Sequence, residues 1–188
     1  RQDLKNKKEI VNYLMSKNYI GSAWINIYKK RIFDNIRYPE GKIYEDGYVL
    51  TDIINELNNV LVSDIGEYFY VYRDESIMQK RKSLKECFDI LDAQIKTLNF
   101  CYIIDDNKNL FLNKYLAFHL RLIYSCIQFG NDSFNKYIKK YESFDYSLYE
   151  LIFIKASVKS IFKLFLLKKI GFVNLVKIYK KMGVAWYN

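Results

Sequence analysis

Apolar positions recur at helical spacing through most of the chain. In the opening segment, Leu4 to Lys17, the side chains of Ile10, Val11, Leu14 and Met15 share one side and lysines occupy the others, which predicts a short amphipathic helix. Leu50, Ile53, Ile54 and Leu57 predict another that starts near Asp46 or Gly47. Between them, Tyr19 to Tyr28 is β-branched and aromatic and reads as a strand, followed by the basic Lys29-Lys30-Arg31. Arg37 to Lys42, which holds the single proline, Pro39, reads as a loop. Val60 to Val62 and Tyr68 to Tyr72 are short β-type runs.

From Ser76 onward the pattern is helix after helix. Ser83 with Glu86 has the spacing of a capping box, ahead of an apolar stripe of Leu84, Cys87, Phe88, Leu91, Ile95 and Leu98. A helix is predicted from Leu110 to Gln128, stopping at Gly130-Asn131. Ser147 with Glu150 repeats the capping signature and opens a helix that reaches Lys168-Lys169 before Gly171. Phe172 to Lys181 predicts the last helix. The class expected is helix-rich α+β, with a few short strands early and an all-helical remainder. The change of pattern near residues 75–82 involves no low-complexity linker.

Composition sharpens this picture. With 188 residues, 51% of them hydrophobic, the chain is long enough for a buried core. One proline and seven glycines are too few for the many tight turns of a β-sandwich. Three cysteines without a Cys-x-x-Cys pair, and one histidine, supply neither a disulfide framework nor a zinc site, so a reducing compartment fits best. Cys87, Cys101 and Cys126 read as small apolar core residues, and His119, set among Phe118, Leu120, Leu122 and Ile123, as a packed or surface histidine rather than a base. No stretch approaches the roughly 18 apolar residues of a membrane-spanning helix.

The formal charge of +9 is unevenly placed: residues 1–150 carry 22 of the 30 Lys/Arg and all 21 Asp/Glu, while 151–188 carry eight lysines and no acid. A basic excess confined to a lysine-bearing tail argues against nucleic acid as a partner. Lys155, Lys159 and Lys163 recur at i, i+4, i+8, and the remaining face holds Leu151, Ile154, Val158, Ile161, Phe162, Phe165 and Leu166. Two readings stand: a helix lying on an anionic membrane surface through 151–188, or a helix packed on the domain with lysines as its solvated side.

Candidate chemistry concentrates in Pro39-Glu40-Gly41-Lys42-Ile43-Tyr44-Glu45-Asp46, directly before the amphipathic helix. The positive end of a helix stabilises negative charge there. A carboxylate in such a loop, facing a cleft, can take a proton from a hydroxyl. By spacing alone, Asp46 as a helix cap with Glu45 as its solvated neighbour is the competing reading.

Three linked segments carry a resemblance: Ser22-Ala23-Trp24-Ile25-Asn26-Ile27-Tyr28-Lys29-Lys30, then Ile36 to Asp46, then Tyr68-Phe69-Tyr70 leading to Arg73-Asp74-Glu75-Ser76-Ile77. In order and spacing, over about residues 19–78, they resemble the C-terminal half of bacterial family 2 glycosyltransferases. That resemblance implies a GT-A fold and inverting transfer from a nucleotide-diphosphate sugar to a glycan or lipid-linked acceptor. It implies that Asp46 is the general base on the acceptor hydroxyl and that Glu45 orients it or contacts acceptor hydroxyls. Trp24 would offer a wall for a sugar ring, Arg73 would lie near the donor phosphates, and Glu40 and Tyr70 would contact acceptor or donor. A strand-end surface position is the other reading of Arg73. The chain departs from the family at Ile25-Asn26, in place of Asn-Lys, at Gly47, in place of an acid, and at Val71, in place of an arginine.

The family's nucleotide-binding half, with its Asp-x-Asp metal site, has no counterpart in these residues. The expectation is therefore a C-terminal portion of such an enzyme. Residues 1–80 belong to the catalytic domain, and residues 81–188 form a helical region ending in the lysine-rich amphipathic tail. Alone it is expected to be inactive and to hold no cofactor, a divalent Mg or Mn being expected only with the upstream half. A cytoplasmic location, peripheral at the inner face of the membrane, and a homo-oligomer are compatible with this reading. The alternative is a non-catalytic helical module for membrane attachment or self-association.

Overall fold

The computed structural model describes residues 1–16, 22–69, 71, 81–103, 108–144 and 158–182. The elements, in chain order, are β1 (Gln2–Leu4), α1 (Lys7–Ser16), α2 (Glu45–Glu56), β2 (Val60–Val62), α3 (Leu84–Ile103), α4 (Lys108–Phe129), α5 (Asn135–Glu142), α6 (Val158–Ile170) and α7 (Phe172–Lys181), with short 3-10 turns at Ala23–Ile25, Lys30–Phe33 and Asp132–Phe134. The chain is helix-rich α+β, and among the described residues β1 and β2 are its only strands. It divides into two compact units, Arg1–Thr97 and Leu98–Asn188, the sequence boundary falling between Thr97 and Leu98 of α3.

In unit 1, β1 and β2 pair antiparallel with Gln2 opposite Val62 and Leu4 opposite Val60. Ile10, Val11, Leu14 and Met15 of α1 are buried, as their spacing predicts. Leu4 is buried too, but in β1, so the first helix starts at Lys7 rather than at Leu4, where the segment read as helical begins. The Lys7 ammonium donates to the carbonyls of Ile54 and Asn55, a cation placed on the last turn of α2 where the helix dipole is negative. Ile36, Val49 and Ile53 form a second buried cluster, sheathed by Tyr28, Ile32, Phe33, Tyr38, Tyr48 and Leu57.

Two strand expectations fail where they can be compared. Residues 22–28 form no strand; the Ala23–Ile25 turn stands there, Trp24 is 46% exposed and Ile27 fully exposed. Tyr68, Phe69 and Val71 are likewise outside any strand and exposed, while Tyr70 and Tyr72 lie outside the described residues. β-branched and aromatic residues favour strands by packing on a neighbouring strand, and among the described residues none pairs with these runs.

The helix signals written locally are realised. Ser83 N–H donates to Glu86 Oε2 at 2.7 Å and Glu86 N–H to Ser83 Oγ at 3.2 Å, the reciprocal capping box at the start of α3. These bonds, the backbone one foremost, hold the Glu86 carboxyl below its ordinary value. α4 ends at Gly130, whose N–H donates to Cys126 O at 2.9 Å from a positive φ of 88° that a side chain would oppose. The box expected at Ser147 and Glu150 lies outside the described residues.

Unit 2 is built on an aromatic ladder. Tyr115 of α4 stacks on Tyr141 of α5 at 4.4 Å, and the Tyr115 hydroxyl donates to Tyr141 O at 3.2 Å. His119 also stacks on Tyr141, at 5.3 Å, and meets Phe172 of α7 edge-on at 5.8 Å. Phe134, Leu164, Leu167, Leu175 and Val176 fill in around this ladder as buried residues. α5 had no separate prediction. α6 buries Leu164 and Leu167, whereas Val158, Phe162 and Phe165, from the apolar face named in the sequence, are exposed. No helix among the described residues is long and apolar enough to cross a membrane.

Candidate functional site

The segment 39–46 is held by α3. The Asp89 carboxylate, only 5% exposed, accepts from Ile43 N–H at 3.3 Å and from the Lys85 ammonium at 3.1 Å, and pairs with Lys42 at 3.7 Å. Lys85 also donates to the Gly41 carbonyl, and Lys42 reaches Asp92 at 3.4 Å. Tyr48, one turn into α2, lies beneath two ammonium groups, Lys42 at 5.1 Å and Lys96 at 4.5 Å from the ring centroid. Lys96 is salt-bridged to Asp52. Three loop positions and α2 are thus tied to one helix by charge.

The loop enters α2 through Tyr44, a left-handed residue with φ 62°. That conformation is uncommon for a bulky side chain. The Tyr44 ring folds back over Gly47: a Cβ there would sit 2.4 Å from it. Glycine at this position therefore has a local cause.

Asp46 lies in the first turn of α2, and Tyr44, not Asp46, occupies the N-cap position. Its Oδ1 accepts from Gly47 N–H at 2.7 Å and its Oδ2 from Ala23 N–H at 3.3 Å. The capping reading is met in part, since Gly47 N–H is one of the amides a helix start leaves without a partner. The bond from Ala23 is not local, and it brings the 22–28 segment to the carboxylate. A carboxylate has about four acceptor positions, so capacity remains for a hydroxyl.

Phenols surround this acid. Burial, then Tyr38, then the Asp46 charge push Tyr28 up to about 12. Tyr38 is raised by burial first and then by Asp46 and Glu45. Both shifts favour the protonated phenol, a form able to donate. Trp24, next to Ala23, stacks on Tyr68 with centroids 4.4 Å apart and planes 29° apart, both rings about half exposed.

Of the residues expected from the sequence, the structure brings Asp46 and Trp24 to one locality, with Glu45 exposed beside them. Glu40 is exposed at the loop apex next to Gly41. Arg73 and Tyr70 lie outside the described residues. Tyr28, Tyr38 and Asp89 had no role in the sequence reading. Tyr28 and Tyr38 stand within the motif segments, but nothing in the spacing links Asp89 to the loop it holds.

Unit 1 also contains a cleft of about 470 Å³ floored by Leu14, Ile53 and Leu57 and edged by Asn26, Asn58 and Ser63. Asp46 is not in its wall; Tyr28 is common to the cleft and to the surroundings of Asp46. Among the described residues no group of three or more His, Cys, Asp or Glu is placed to hold a metal ion, and no step below runs through one. No family model, curated protein or solved structure matches this chain.

Proposed function

We propose that this chain is the acceptor-side, C-terminal part of an inverting glycosyltransferase that moves a sugar from a nucleotide-diphosphate donor to a glycan or lipid-linked acceptor. The observation that carries this reading is the pairing of a half-buried carboxylate with an exposed aromatic platform, Asp46 bonded to Ala23 N–H beside the Trp24 and Tyr68 stack. The apolar face of a sugar ring packs on such a platform while its hydroxyls need acceptors and donors. Asp46 takes the proton of the attacking hydroxyl. Tyr28 and Tyr38, holding their protons, donate to the acceptor or to the developing anion, and the cleft that begins at Tyr28 receives the rest of the acceptor. Glu45 adds negative charge at the rim and contacts acceptor hydroxyls.

Donor binding falls to the nucleotide-binding half that the resemblance implies, together with Arg73, so residues 1–188 alone are inactive on this reading. The reading places the enzyme in the cytoplasm, in keeping with three buried cysteines outside any disulfide, Cys87, Cys101 and Cys126. The test is transfer by the enzyme that carries the donor half. Asp46→Asn is expected to lower kcat by about 10² to 10⁴, and Trp24→Ala to raise KM for the acceptor more than it lowers kcat. Full turnover by Asp46→Asn removes the assignment. A second reading, a non-catalytic helical module, is favoured by the apolar face that α6 turns outward.

A further inference from the structure

We infer that unit 2 carries a peripheral docking surface for an anionic lipid bilayer, formed by the outward face of α6 and the lysines that follow it. The inference stands on this unit and does not depend on the transfer reaction. α6 packs inward through Leu164 and Leu167, and on the opposite side Val158 is 84%, Phe162 57% and Phe165 40% exposed. Positions 158, 162 and 165 fall at i, i+4 and i+7, a single stripe along the helix. Scattered apolar residues on a surface need no explanation, but two phenylalanines one turn apart in line with a valine form a continuous patch.

Charge selects the occupant. Residues 151–188 hold eight lysines and no Asp or Glu. Lys168 and Lys169 come three and four residues after Phe165 and are exposed. α7 contributes exposed Lys177, Lys180 and Lys181, with Ile178 40% and Met182 66% exposed among them. A protein partner of mixed charge would be matched by both signs, and a nucleic acid by arginine-rich polar contacts without an apolar stripe. An anionic bilayer accepts both features: the rings enter the acyl boundary and the ammonium groups stay at the headgroups. Each lysine near such a surface strengthens attachment several-fold. No described helix is long and apolar enough to cross a membrane, and the attachment inferred is a peripheral one.

The test is flotation of the 188-residue chain with vesicles of phosphatidylcholine containing phosphatidylglycerol, against phosphatidylcholine alone. Flotation with the anionic vesicles is expected, weakened about tenfold on neutral vesicles or in high salt. Phe162→Ser with Phe165→Ser should reduce it about tenfold, as should Lys169→Gln with Lys180→Gln and Lys181→Gln. These positions are exposed, and an unchanged circular dichroism spectrum verifies the fold. No flotation, equal flotation on neutral vesicles, or undiminished flotation of the phenylalanine variant overturns the inference. So does a homodimer in sedimentation that the phenylalanine variant dissociates while neither form floats, since the face then belongs to a second copy.

Discussion

Unit 1 and unit 2 hold their polar groups in opposite ways. In unit 1 a nearly buried carboxylate, Asp89, is satisfied by an amide and two ammonium groups, and the result is a positioned loop that ends in a half-buried Asp46. In unit 2 the buried ionisable ring of His119 lies among aromatic faces, and neither ring nitrogen has a hydrogen-bond partner among the described residues. Buried charge that is fully paired can hold a reactive group in place, whereas a buried imidazole without partners can only stay neutral. Charge and amide bonds hold the first region in place. Aromatic packing holds the second.

That contrast makes the units respond to different perturbations. The largest effect is expected from Phe172→Ala, which empties a site 3% exposed between His119 and Tyr141 and should cost about 3–5 kcal/mol. Amide exchange read peptide by peptide should show protection lost over α4 to α7 and kept in α1 and α2. Equal loss in both would mean that the two compact units do not act separately.

Next in size is a pH effect confined to unit 2. Burial foremost, and then the Lys163 charge, lower His119 from 6.5 to about 3. Between those values the unfolded chain binds a proton that the folded chain does not. Stability therefore falls as pH is lowered through that window, by at most about 1.4 kcal/mol per pH unit from this one group, and His119 adds no slope above it. Urea unfolding of His119→Leu across the same pH range should lose that share of the slope. A slope equal to that of the parent chain would mean that the imidazole is paired.

Asp89→Ala acts on the other unit. It leaves the Ile43 amide and two ammonium groups short of their acceptor and should cost about 1–3 kcal/mol. Its clearer signature is faster exchange at residues 41–46 with α5 and α7 unaffected. Gly47→Ala should be the smallest, under about 1 kcal/mol, because gained helix propensity offsets displacement of a half-exposed Tyr44 ring. A changed Tyr44 environment in NMR would register it where stability does not.

Much of the helical framework was legible along the chain. The Ser83 and Glu86 box, the stop at Gly130 and the span of α7 depend on bonds and periodicity within a few residues, and each is found as read. The strand assigned to Tyr19–Tyr28 was not, because its aromatic residues serve a turn and a ring stack rather than a sheet. For the candidate site, the motif pointed to Asp46 and Trp24 but not to the phenols around the acid or to Asp89. Asp89 is joined to the loop across 46 residues, and the phenols approach the acid through the folding of their segments, where spacing carries no information.

Sequence alone determined the helix-rich α+β class, most helix boundaries and the acid-free lysine tail, since local hydrogen bonding, side-chain period and composition are properties of short windows. Tertiary structure decided the inward side where periodicity leaves it open. α6 illustrates the limit: its apolar residues surround much of the helix, so periodicity does not identify the buried face, and contact with the rest of unit 2 takes Leu164 and Leu167 inward and leaves Phe162 and Phe165 outside. The same holds at Asp46, whose setting is made by an amide from the 22–28 segment and by a loop that α3 holds in place through charge.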